Sequence, residues 1–579
     1  MVIKLLVTIK YIVKYKIRDP CGVVKDNEKS NVEGYEVRGE VRQRLLFELL
    51  LDFARNSTLH GPRYLTARGL HLIERLFWGI IFVASVLLCV WAMSNVWFKW
   101  KTSPIIISVN EQLSSITEVP FPAVTVCPQT KVNQKYFNYT KHYITFRKFI
   151  HEQQSNNIKI TEKELRNKGH AFMEQNPFVR ELGNIFNLAS ESSDADLFRY
   201  IRPPLDHNAV LHMIKAAPKI EDVLFYGTWQ DQYMAHDRSA YFASVLMESG
   251  LCFTFNTLAA NEIFHIDHLH TNYSFLNTFI PRRGWSPERG YFSSGPDTYP
   301  RRGRTGQKPD LFFILKEELD SDFICKGTFS GFKVYLHHPA DLPQSSRSYY
   351  AVQDDDAAYF SIKVNLVTTS NTLINYSPHI RQCYFPTERK LHFFKMYTQN
   401  NCRLECLANY TLASCGCVEY HMPRNQSTLM CISSDEFRCI YKTFVAYSAM
   451  YDGFGNSNHS LCQCLPLCHS VQYDAEVVRT SQDVAHHKAK HLAFNEIYNV
   501  SKPYMKSTKT YTPINMYFKE SRFVSLRRSE LFGATDFLAN CGGLLGLFLG
   551  FSFLSLVELL YFFTLRLGCM FRRQSKAPE

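Results

Sequence analysis

The chain has 579 residues, too many for a single hydrophobic core, and its 46% hydrophobic and 14% aromatic content is ordinary for a folded protein. Its formal net charge of +12 is uneven: residues 1–75 hold 14 Lys and Arg against 9 Asp and Glu, and residues 566–579 hold 4 against 1. Basic ends around a nearly neutral middle argue against a nucleic-acid partner and favour two cytoplasmic ends under the positive-inside rule.

Residues 1–75 are predicted to form a cytoplasmic segment. Their start, MVIKLLVTIKYIVKYK, is apolar but interrupted by lysines, so it predicts no span; we expect it to lie on the inner membrane surface or to be unstructured. Residues 41–53 (VRQRLLFELLLDF) have the periodicity of a short amphipathic helix, and residues 56–62 (NSTLHGP) form a cap-and-turn cluster. The glycosylation sequon at Asn56 is expected to be silent on the cytoplasmic side.

A first transmembrane helix is predicted at residues 76–97, because residues 76–96 (LFWGIIFVASVLLCVWAMSNV) contain no charge. Basic residues and tryptophans, which are typical of membrane interfaces, lie near its ends: Arg68, Arg75, Lys99 and Lys101, and Trp78, Trp91, Trp97 and Trp100. The run lies too far inside the chain to be a cleaved signal peptide.

Residues 98–533 are predicted to form a large extracellular domain. Of the 17 cysteines, 13 lie between positions 127 and 468. The same region carries glycosylation sequons at Asn138, Asn272, Asn409, Asn425, Asn458 and Asn499, and a seventh at Asn375 that is weakened by Pro378. In the cysteine-rich segment 383–468 zinc ligation is an alternative, but three sequons lie inside it. Disulfides are therefore favoured, and their cross-links would make a stiff rod that transmits movement.

Within this domain the predicted elements change along the chain. A β run follows Pro120-Phe121-Pro122 and ends at Cys127, and residues 141–225 have mostly helical patterns with a possible capping box from Thr161 to Glu164. From Gly250 onward β patterns dominate, at residues 252–255, 329–337, 359–367, 471–478 and 514–518. Residues 280–310 are rich in Gly, Pro and Arg, which predicts a long exposed loop.

A second transmembrane helix is predicted at residues 534–566, before a cytoplasmic tail at 567–579. Its apolar part, residues 540–561 (NCGGLLGLFLGFSFLSLVELLY), carries a carboxylate, Glu558, that costs roughly 2.5 kcal/mol or more in lipid unless it faces water or a partner. In a continuous helix Asn540 and Glu558 would share one face about 27 Å apart, which suits a helix that lines an aqueous pore. Gly542, Gly546 and Gly550 recur every four residues, so close helix packing is the alternative. Packing has no need of Glu558, which favours the pore.

Three polar clusters give weaker signals. Asp354-Asp355-Asp356 has the composition of a proton or calcium sensor, but three acids in a polar loop are more often solvated. His486, His487 and His491 include a pair at i, i+4 that suits a metal, although a surface helix with incidental histidines is the more frequent case. His337-His338 lies on a predicted strand, where packing is expected. No nucleophile elbow, P-loop, dinucleotide fingerprint or metalloprotease motif is present, so the chain is not predicted to be an enzyme.

Several motifs together resemble the degenerin/epithelial sodium channel (DEG/ENaC) family, and most of all its insect pickpocket branch. They occur in order from His60-Gly61 onward: FPAVTVC (121–127), GLCFTFN (250–256), GFKVYLHHP (331–339), RQCYFP (381–386), CQCLPLC (462–468) and CGGLLGLFLGFSFLSLVELLYF (541–562). The resemblance implies a plasma-membrane protein with two transmembrane helices, both termini cytoplasmic, and a disulfide-rich α+β extracellular domain with a β core and a helical periphery. It also implies a trimeric, amiloride-blocked, sodium-selective channel made with identical or related subunits, in contact with membrane lipid, with permeant Na⁺ and no cofactor.

The resemblance also implies roles for individual residues. Gly550, Phe551 and Ser552 match the Gly-x-Ser selectivity sequence, although Phe551 is larger than the usual middle residue. The outer pore and gating positions fall on Ala539, Asn540, Gly542 and Gly543, and Glu558 lies toward the inner mouth. Proton-gated relatives have an acid where this chain has Asn540, which makes calcium block and proton gating at this position doubtful. His60-Gly61 matches a cytoplasmic motif that affects open probability.

The cysteines that match the family imply six disulfides: Cys127–Cys252, Cys383–Cys468, Cys402–Cys464, Cys406–Cys462, Cys415–Cys439 and Cys417–Cys431. Cys325 is left without a partner and is expected to be a free or intermolecular thiol. A membrane-impermeant maleimide should therefore label it on the intact protein.

Three other functions share parts of these signals. A two-span receptor for lipid or another ligand would have the same topology and disulfides, but no need of Gly-x-Ser or Glu558. A purinergic-type trimeric channel has a different cysteine spacing. A non-conducting accessory subunit would share the whole sequence pattern, and expression with and without partner subunits distinguishes it. The sequence leaves open whether the gating stimulus is sensory, a ligand or mechanical force.

Overall fold

The computed structural model describes residues 49–67, 69–102, 105–136, 209–234, 238–273, 280–287, 290–293, 298–304, 308–318, 329–343, 349–354, 356–431, 434–451, 462–481 and 509–569, with a few isolated residues besides. It divides into two compact units. The helical unit combines Met1–Ile106 with Glu530–Glu579, and the sheet unit is Ile107–Ser529.

The helices are α1 (49–56), α2 (Pro62–Thr66), α3 (Leu72–Thr102), α4 (Ala209–Ala216), α5 (Ile220–Val223), α6 (Ala260–Ile263), α7 (Pro378–Arg381), α8 (Gln399–Cys415), α9 (Ser434–Tyr451), α10 (Ala534–Leu549) and α11 (Phe553–Leu560), which continues as a π-helix (Tyr561–Arg566). The strands are β1 (Ile105–Val109), β2 (Ser114–Ser115), β3 (Ala123–Pro128), β4 (Leu224–Trp229), β5 (Gln232–Tyr233), β6 (Phe242–Met247), β7 (Gly250–Phe255), β8 (Trp285–Ser286), β9 (Gly290–Tyr291), β10 (Leu311–Glu318), β11 (Gly331–His337), β12 (Tyr350–Gln353), β13 (Asp356–Thr369), β14 (Ser470–Ser481), β15 (Lys509–Phe518), β16 (Arg522–Phe523) and β17 (Leu526–Glu530).

Within the described residues, α3 alone is long and apolar enough to cross a membrane as one helix. It contains the predicted span 76–97 and is longer at both ends. The second apolar run is not the continuous helix expected from its length. It forms α10 and a second segment, Phe553–Cys569, that are bent by 78° at the intervening residues. The expected placement of Asn540 and Glu558 on one face of a straight helix is therefore wrong.

Two sheets form the sheet unit and enclose its main core. The larger is mixed, in the order β1-β17-β13-β15-β10-β4-β5 with β14 on β13, and the smaller is antiparallel, in the order β12-β11-β3-β7-β6. Phe253 and Phe332 of the smaller sheet and Phe313 and Phe360 of the larger lie in one fully buried apolar cluster. Burying such side chains stabilises the fold by about 1.5–3 kcal/mol each.

Three of the sequence motifs are neighbouring strands of the smaller sheet. FPAVTVC forms β3, GLCFTFN forms β7 and GFKVYLHHP forms β11, and β3 lies between the other two. Val126 faces Phe253 across the β3–β7 pair, which brings Cys127 and Cys252 together as a disulfide.

All the predicted β runs are found as strands, with ends that differ by a few residues. The helical region predicted to extend to residue 225 ends two residues earlier, because β4 begins at Leu224. Two helices were not predicted: α8 and α9 lie inside the cysteine-rich segment, where β patterns were expected to dominate. Thr398 begins α8 by accepting a hydrogen bond from the Asn401 N–H, and Gly416 ends it in the left-handed conformation.

The prediction of one long exposed loop at 280–310 is also wrong in part. The hairpin β8–β9 lies within it, and Trp285 and Tyr299 are 4% exposed. One of its arginines, Arg301, packs against aromatic rings, with its guanidinium 5.2 Å from the Phe255 ring centroid and 5.3 Å from that of Tyr299.

Six disulfides join the described cysteines of the sheet unit in the pairs implied by the family resemblance: Cys127–Cys252, Cys383–Cys468, Cys402–Cys464, Cys406–Cys462, Cys415–Cys439 and Cys417–Cys431. Cys402 and Cys406 are one turn apart on α8 and pair with the short segment that holds Cys462 and Cys464. The cross-links therefore join a helix to a segment without regular secondary structure.

Several predictions fall outside the described residues. They concern the capping box at Thr161 and Glu164, Cys325, the histidines 486, 487 and 491, and the sequons at Asn458 and Asn499. The side chains of Asn375, Asn409 and Asn425 are exposed.

Candidate pore segment

The bend in the second apolar run begins at Gly550. Its φ is +66°, in the left-handed region, and its N–H donates to the Gly546 carbonyl at 2.9 Å. The Phe551 N–H donates to the Leu545 carbonyl at 3.2 Å. These bonds satisfy two of the last carbonyls of α10, so a glycine cap ends the helix in the middle of an apolar run.

Ser552 then starts the next helix. Its Oγ accepts from the Ser555 N–H at 3.3 Å, and the Ser555 Oγ accepts from the Ser552 N–H at 3.1 Å. This reciprocal pair caps α11 in the manner of a capping box. The predicted filter residues are thus the short non-helical stretch between two helix caps. In a membrane, non-helical backbone is tolerated where protein buries it or where it lines a water-filled cavity.

The predicted cytoplasmic motif packs directly on this stretch. The His60 N–H donates to the Leu549 carbonyl at 3.0 Å, which satisfies another terminal carbonyl of α10. A Cβ built on Gly550 would lie 1.6 Å from the His60 Nδ1, far inside van der Waals contact. Position 550 therefore needs glycine for its backbone angle and for the space that His60 occupies.

The second residue of the motif, Gly61, also occupies a position that requires glycine. Gly61 has a φ of +106°, and a Cβ there would lie 2.5 Å from Cδ2 of Phe82 on α3. Pro62 follows at the start of α2, where a proline costs no hydrogen bond. The His-Gly-Pro sequence turns the chain tightly between α10 and α3.

Glu558 forms hydrogen bonds with the same loop, two residues before His60. One of its carboxylate oxygens, Oε2, accepts from the Thr58 N–H at 3.1 Å and from the Thr58 hydroxyl at 3.0 Å. The Thr58 hydroxyl also contacts the Ser555 Oγ at 2.9 Å. The Thr58 hydroxyl donates to Glu558, so it accepts from the Ser555 hydroxyl. The three groups therefore form one hydrogen-bonded chain.

Helix α1 is attached to the far end of the second run. The Phe53 ring lies 5.5 Å from that of Phe562 and 5.9 Å from that of Phe563. Asp52 and Arg566 form an ion pair at 2.5 Å. Sequence reasoning missed these contacts and those of Thr58 and Ser555; the amphipathic pattern at 41–53 is the one signal that α1 has a partner.

The middle of α10 carries the predicted gating positions on an accessible surface. Ala539, Asn540, Gly542 and Gly543 are exposed on this subunit, and a Cβ on either glycine would have no atom within 4 Å. Asn540 donates its side-chain N–H to the Asp536 carbonyl at 2.8 Å, so its amide is partly engaged by its own helix.

Aromatic packing fixes the start of α10 against α3. The Phe537 ring stacks on Trp100 at 5.1 Å and meets the edge of Trp97 at 5.8 Å. Two of the tryptophans that predicted a membrane interface therefore serve as helix–helix contacts as well.

The described part of the chain contains no group of three or more His, Cys, Asp or Glu side chains arranged to hold a metal ion. His337 lies on β11 and shares a 2.8 Å hydrogen bond with Thr125 through Nε2. Burial lowers its pKa to about 4, so its ring is neutral and packs as expected.

The chain is similar to known proteins over most of its length. The family model described as "Amiloride-sensitive sodium channel" matches residues 53–562. Pickpocket protein 28 of Drosophila melanogaster is 28% identical over 558 residues, which cover 95% of this chain and 83% of that protein. Acid-sensing ion channel 2 of Homo sapiens is 21% identical over 525 residues, covering 88% and 84%. Sodium channel protein Nach of Drosophila ananassae is 20% identical over 539 residues, covering 89% and 86%.

Proposed function

Since the chain belongs to the amiloride-sensitive sodium channel family, and is thus a subunit of an ion channel and not an enzyme, we propose that it forms a sodium-selective pore blocked by amiloride. In this proposal two spans cross the plasma membrane, α3 and the bent second run, with both termini cytoplasmic and the sheet unit outside. Three identical or related subunits surround one pore, and Na⁺ is the permeant ion.

The observation that carries the proposal is the interruption of the second apolar run at Gly550, Phe551 and Ser552. A helix that served only as an anchor would lose backbone hydrogen bonds at such a break without any gain. Around a three-fold axis, the break would present carbonyl and hydroxyl oxygens that replace part of the hydration shell of a small cation. The bulk of Phe551 would face away from the ions if the backbone and Ser552 supply these oxygens.

Charge along the second run supports cation conduction. Three copies of Glu558 near the inner mouth would raise the local cation concentration and exclude anions. At the outer mouth Asn540 carries no charge, so we propose that protons and calcium do not act at this position. We further propose that the stimulus is a ligand, a mechanical force or another sensory input acting through the sheet unit.

The proposal is tested by measuring whole-cell current from the Ala539→Val variant expressed alone. This substitution should hold the pore open, because a larger side chain does not pack in the closed state. Sodium and potassium are exchanged and amiloride is added. Ala534→Val, at another exposed alanine of α10, is the matched control. An amiloride-blocked sodium current from Ala539→Val alone supports a conducting homomer. A silent channel at the cell surface counts against the gating assignment, and current only with related subunits identifies an accessory subunit.

The proposed topology has a separate test in the sequons. Asn409 and Asn425 are exposed on the sheet unit, and Asn56 lies on the other unit with its side chain donating to Asp52 at 2.7 Å. Replacing Asn409 or Asn425 by Gln should each remove one glycan and increase gel mobility, whereas Asn56→Gln should change nothing. A glycan on Asn56 would place the N-terminal segment outside the cell and overturn the topology.

A further inference from the structure

Sulfur-containing side chains meet where α3 and α10 pack against each other in the helical unit. Cys89 on α3 and Cys541 on α10 are both free thiols. The Cys89 thiol donates to the thioether sulfur of Met93, one turn further along α3, at 3.9 Å. Thiols and thioethers are soft metal ligands, and they differ in this respect from carboxylates and imidazoles.

Cys89 and Met93 lie on the face of α3 that α10 covers. In this helix, all of which the structure describes, Cys89 alone is buried, with 2% of its surface exposed. Half-buried residues recur on the same face with helical spacing, at positions 85, 92, 93, 96 and 100. Trp100, the last of them, stacks on Phe537 of α10, so this face is turned toward α10.

Cys541 lies on the face of α10 that is turned toward α3. Half-buried residues of α10 recur at positions 537, 541, 544, 545 and 548, which form one stripe of the helix. Phe537, at the start of this stripe, contacts Trp97 and Trp100 of α3. Cys541 follows Phe537 by one turn on the same face.

The direction of the two helices brings Cys541 level with the other two sulfur side chains. The helices are antiparallel: the first turn of α10 contacts the last turns of α3, and the far end of α10 is bonded to His60, whose neighbour Gly61 lies against Phe82 near the start of α3. One turn from Phe537 to Cys541 therefore corresponds to one turn from Trp97 back to Met93.

Cys89 is one further turn along α3, about 5–6 Å along the helix axis. Cys541 also interacts electrostatically with Cys89. The two thiols and the thioether are thus gathered within about one helical turn of each other, between two packed helices.

We propose that Cys89, Met93 and Cys541 bind one soft univalent metal ion of the Cu(I) type. On binding, one thiol releases its proton to solvent and its sulfur forms a bond to the ion, while the other two sulfur atoms coordinate without losing a proton. One thiolate and one univalent ion make an uncharged unit, which suits an apolar helix interface where an isolated charge is costly. Ca²⁺ and Mg²⁺ need several oxygen ligands, which these side chains do not supply.

An ion held by both thiols joins α3 to α10. Because it binds the packed helices and not the separated ones, it should raise the melting temperature of the protein. The proposal rests on packing within the helical unit and does not depend on the proposed conduction, so a current experiment that fails would leave it in place.

The test is competition for Cu(I) between the purified full-length protein in detergent and the chromophoric chelator bicinchoninate, in the absence of oxygen. Ascorbate keeps the copper univalent and leaves the disulfides intact. Because the ligands of one site act together, two or three gathered sulfur atoms should compete far better than a lone thiol. We expect the unaltered protein to withdraw Cu(I) from the chelator, and X-ray absorption to show sulfur as the sole ligand atom of the bound copper.

Cys89→Ser and Cys541→Ser should each lower the affinity for Cu(I) by about 100-fold or more, since even an outer partner of a metal ligand contributes 10–100-fold. Met93→Leu conserves the side-chain volume and should cost less, about tenfold, because it removes a neutral ligand. Cys325→Ser removes another thiol that is predicted to be free, and as the matched control it should leave the affinity unchanged. Cu(I) should raise the melting temperature of the control variant but not that of Cys541→Ser.

If the unaltered protein leaves all the Cu(I) with the chelator, or if nitrogen or oxygen atoms are found among the ligands of the bound copper, the proposal is overturned, whether or not the variants fold. Unchanged affinity in a folded Cys89→Ser or Cys541→Ser protein overturns it as well. The melting temperature without metal identifies a variant that fails to fold, and the two measurements on the unaltered protein then decide.

Discussion

The imidazole of His60 occupies the space that a side chain at position 550 would need: a Cβ on Gly550 would be 1.6 Å from the His60 Nδ1. Two residues 490 positions apart in sequence are thus fitted to each other at the break in the second apolar run. The backbone N–H of His60 donates to the Leu549 carbonyl, which holds the His60 backbone beside this break.

Gly550→Ala should abolish or strongly reduce the current. The new methyl group must displace His60, and a non-glycine residue in the left-handed region costs about 1–2 kcal/mol in addition, which alone changes an equilibrium by roughly tenfold. The measurement is whole-cell current normalised to surface expression. Gly542→Ala is the control, because a Cβ there meets nothing within 4 Å on this subunit. Equal effects of the two changes would contradict the steric fit. Because the imidazole occupies the space of the new methyl group, His60→Ala should partly restore the current of Gly550→Ala.

Gly61→Ala should impair the channel much more than Gly69→Ala. Both glycines have a φ near +100°, which an L side chain rarely adopts, but only at Gly61 does the Cβ reach a neighbour, Phe82 at 2.5 Å. The difference between the two variants therefore isolates the contact between the His-Gly turn and α3. Surface biotinylation and current are measured together, and identical losses would mean that backbone strain accounts for the whole effect.

Thr58→Val should reduce the current, whereas Thr58→Ser should retain it. Valine keeps the shape but loses the hydroxyl that contacts both Ser555 and Glu558, and a hydrogen bond to a charged group contributes about 1.5–3 kcal/mol. A double-mutant cycle with Glu558→Gln separates this contact from general damage. If the Thr58→Val effect is the same in both backgrounds, the two residues are not coupled.

Glu558→Lys should sharply reduce cation current, because it reverses a charge that attracts cations and places an ammonium where the carboxylate accepts from Thr58. Glu558→Gln keeps an acceptor oxygen for the Thr58 N–H and removes only the charge, so it should give an intermediate single-channel conductance. Unchanged conductance in Glu558→Lys would refute the proposed position of this carboxylate in the pore.

Removing the Cys127–Cys252 disulfide should destabilise the sheet unit more than removing Cys417–Cys431. All four residues are nearly fully buried, so replacing each pair with alanine leaves comparable surroundings. The bridges span 125 and 14 positions, and the loop-entropy model gives a difference of about 2 kcal/mol. Apparent melting temperatures of the two double variants test the order, and the reverse order would show that local packing outweighs chain entropy here.

The β strands of the smaller sheet and the first apolar helix could be predicted from sequence because their signals are local. Short runs rich in β-branched, aromatic and other apolar residues predict β3, β7 and β11, and an uncharged apolar run predicts α3. The six disulfide pairs came from the family resemblance, since spacing alone does not determine connectivity. Cys402 and Cys406 have the i, i+4 spacing of one helix face, but the dense cysteines of this segment obscure the signal for α8.

The break at Gly550 was predicted as a filter by resemblance, but its geometry was not. The length of the apolar run favoured one straight helix, which outweighed two local signals: a glycine that stops a helix, followed by Ser552 and Ser555 in the pattern that starts one. The contacts of Thr58 with Glu558 join positions 500 apart, and no local pattern predicts such a pair. The aromatic residues hidden in 280–310 were missed because Gly, Pro and Arg dominate its composition.

The bonds between Thr58 and Glu558 make the N-terminal loop and the inner carboxylate parts of one equilibrium. An ion that binds to the carboxylate of Glu558 weakens its hydrogen bonds to Thr58. By thermodynamic reciprocity, breaking the bonds between Thr58 and Glu558 changes the affinity of Glu558 for the ion by the same factor. In the proposed pore, binding of an ion near Glu558 and movement of the loop that holds Thr58 would then each change the equilibrium of the other.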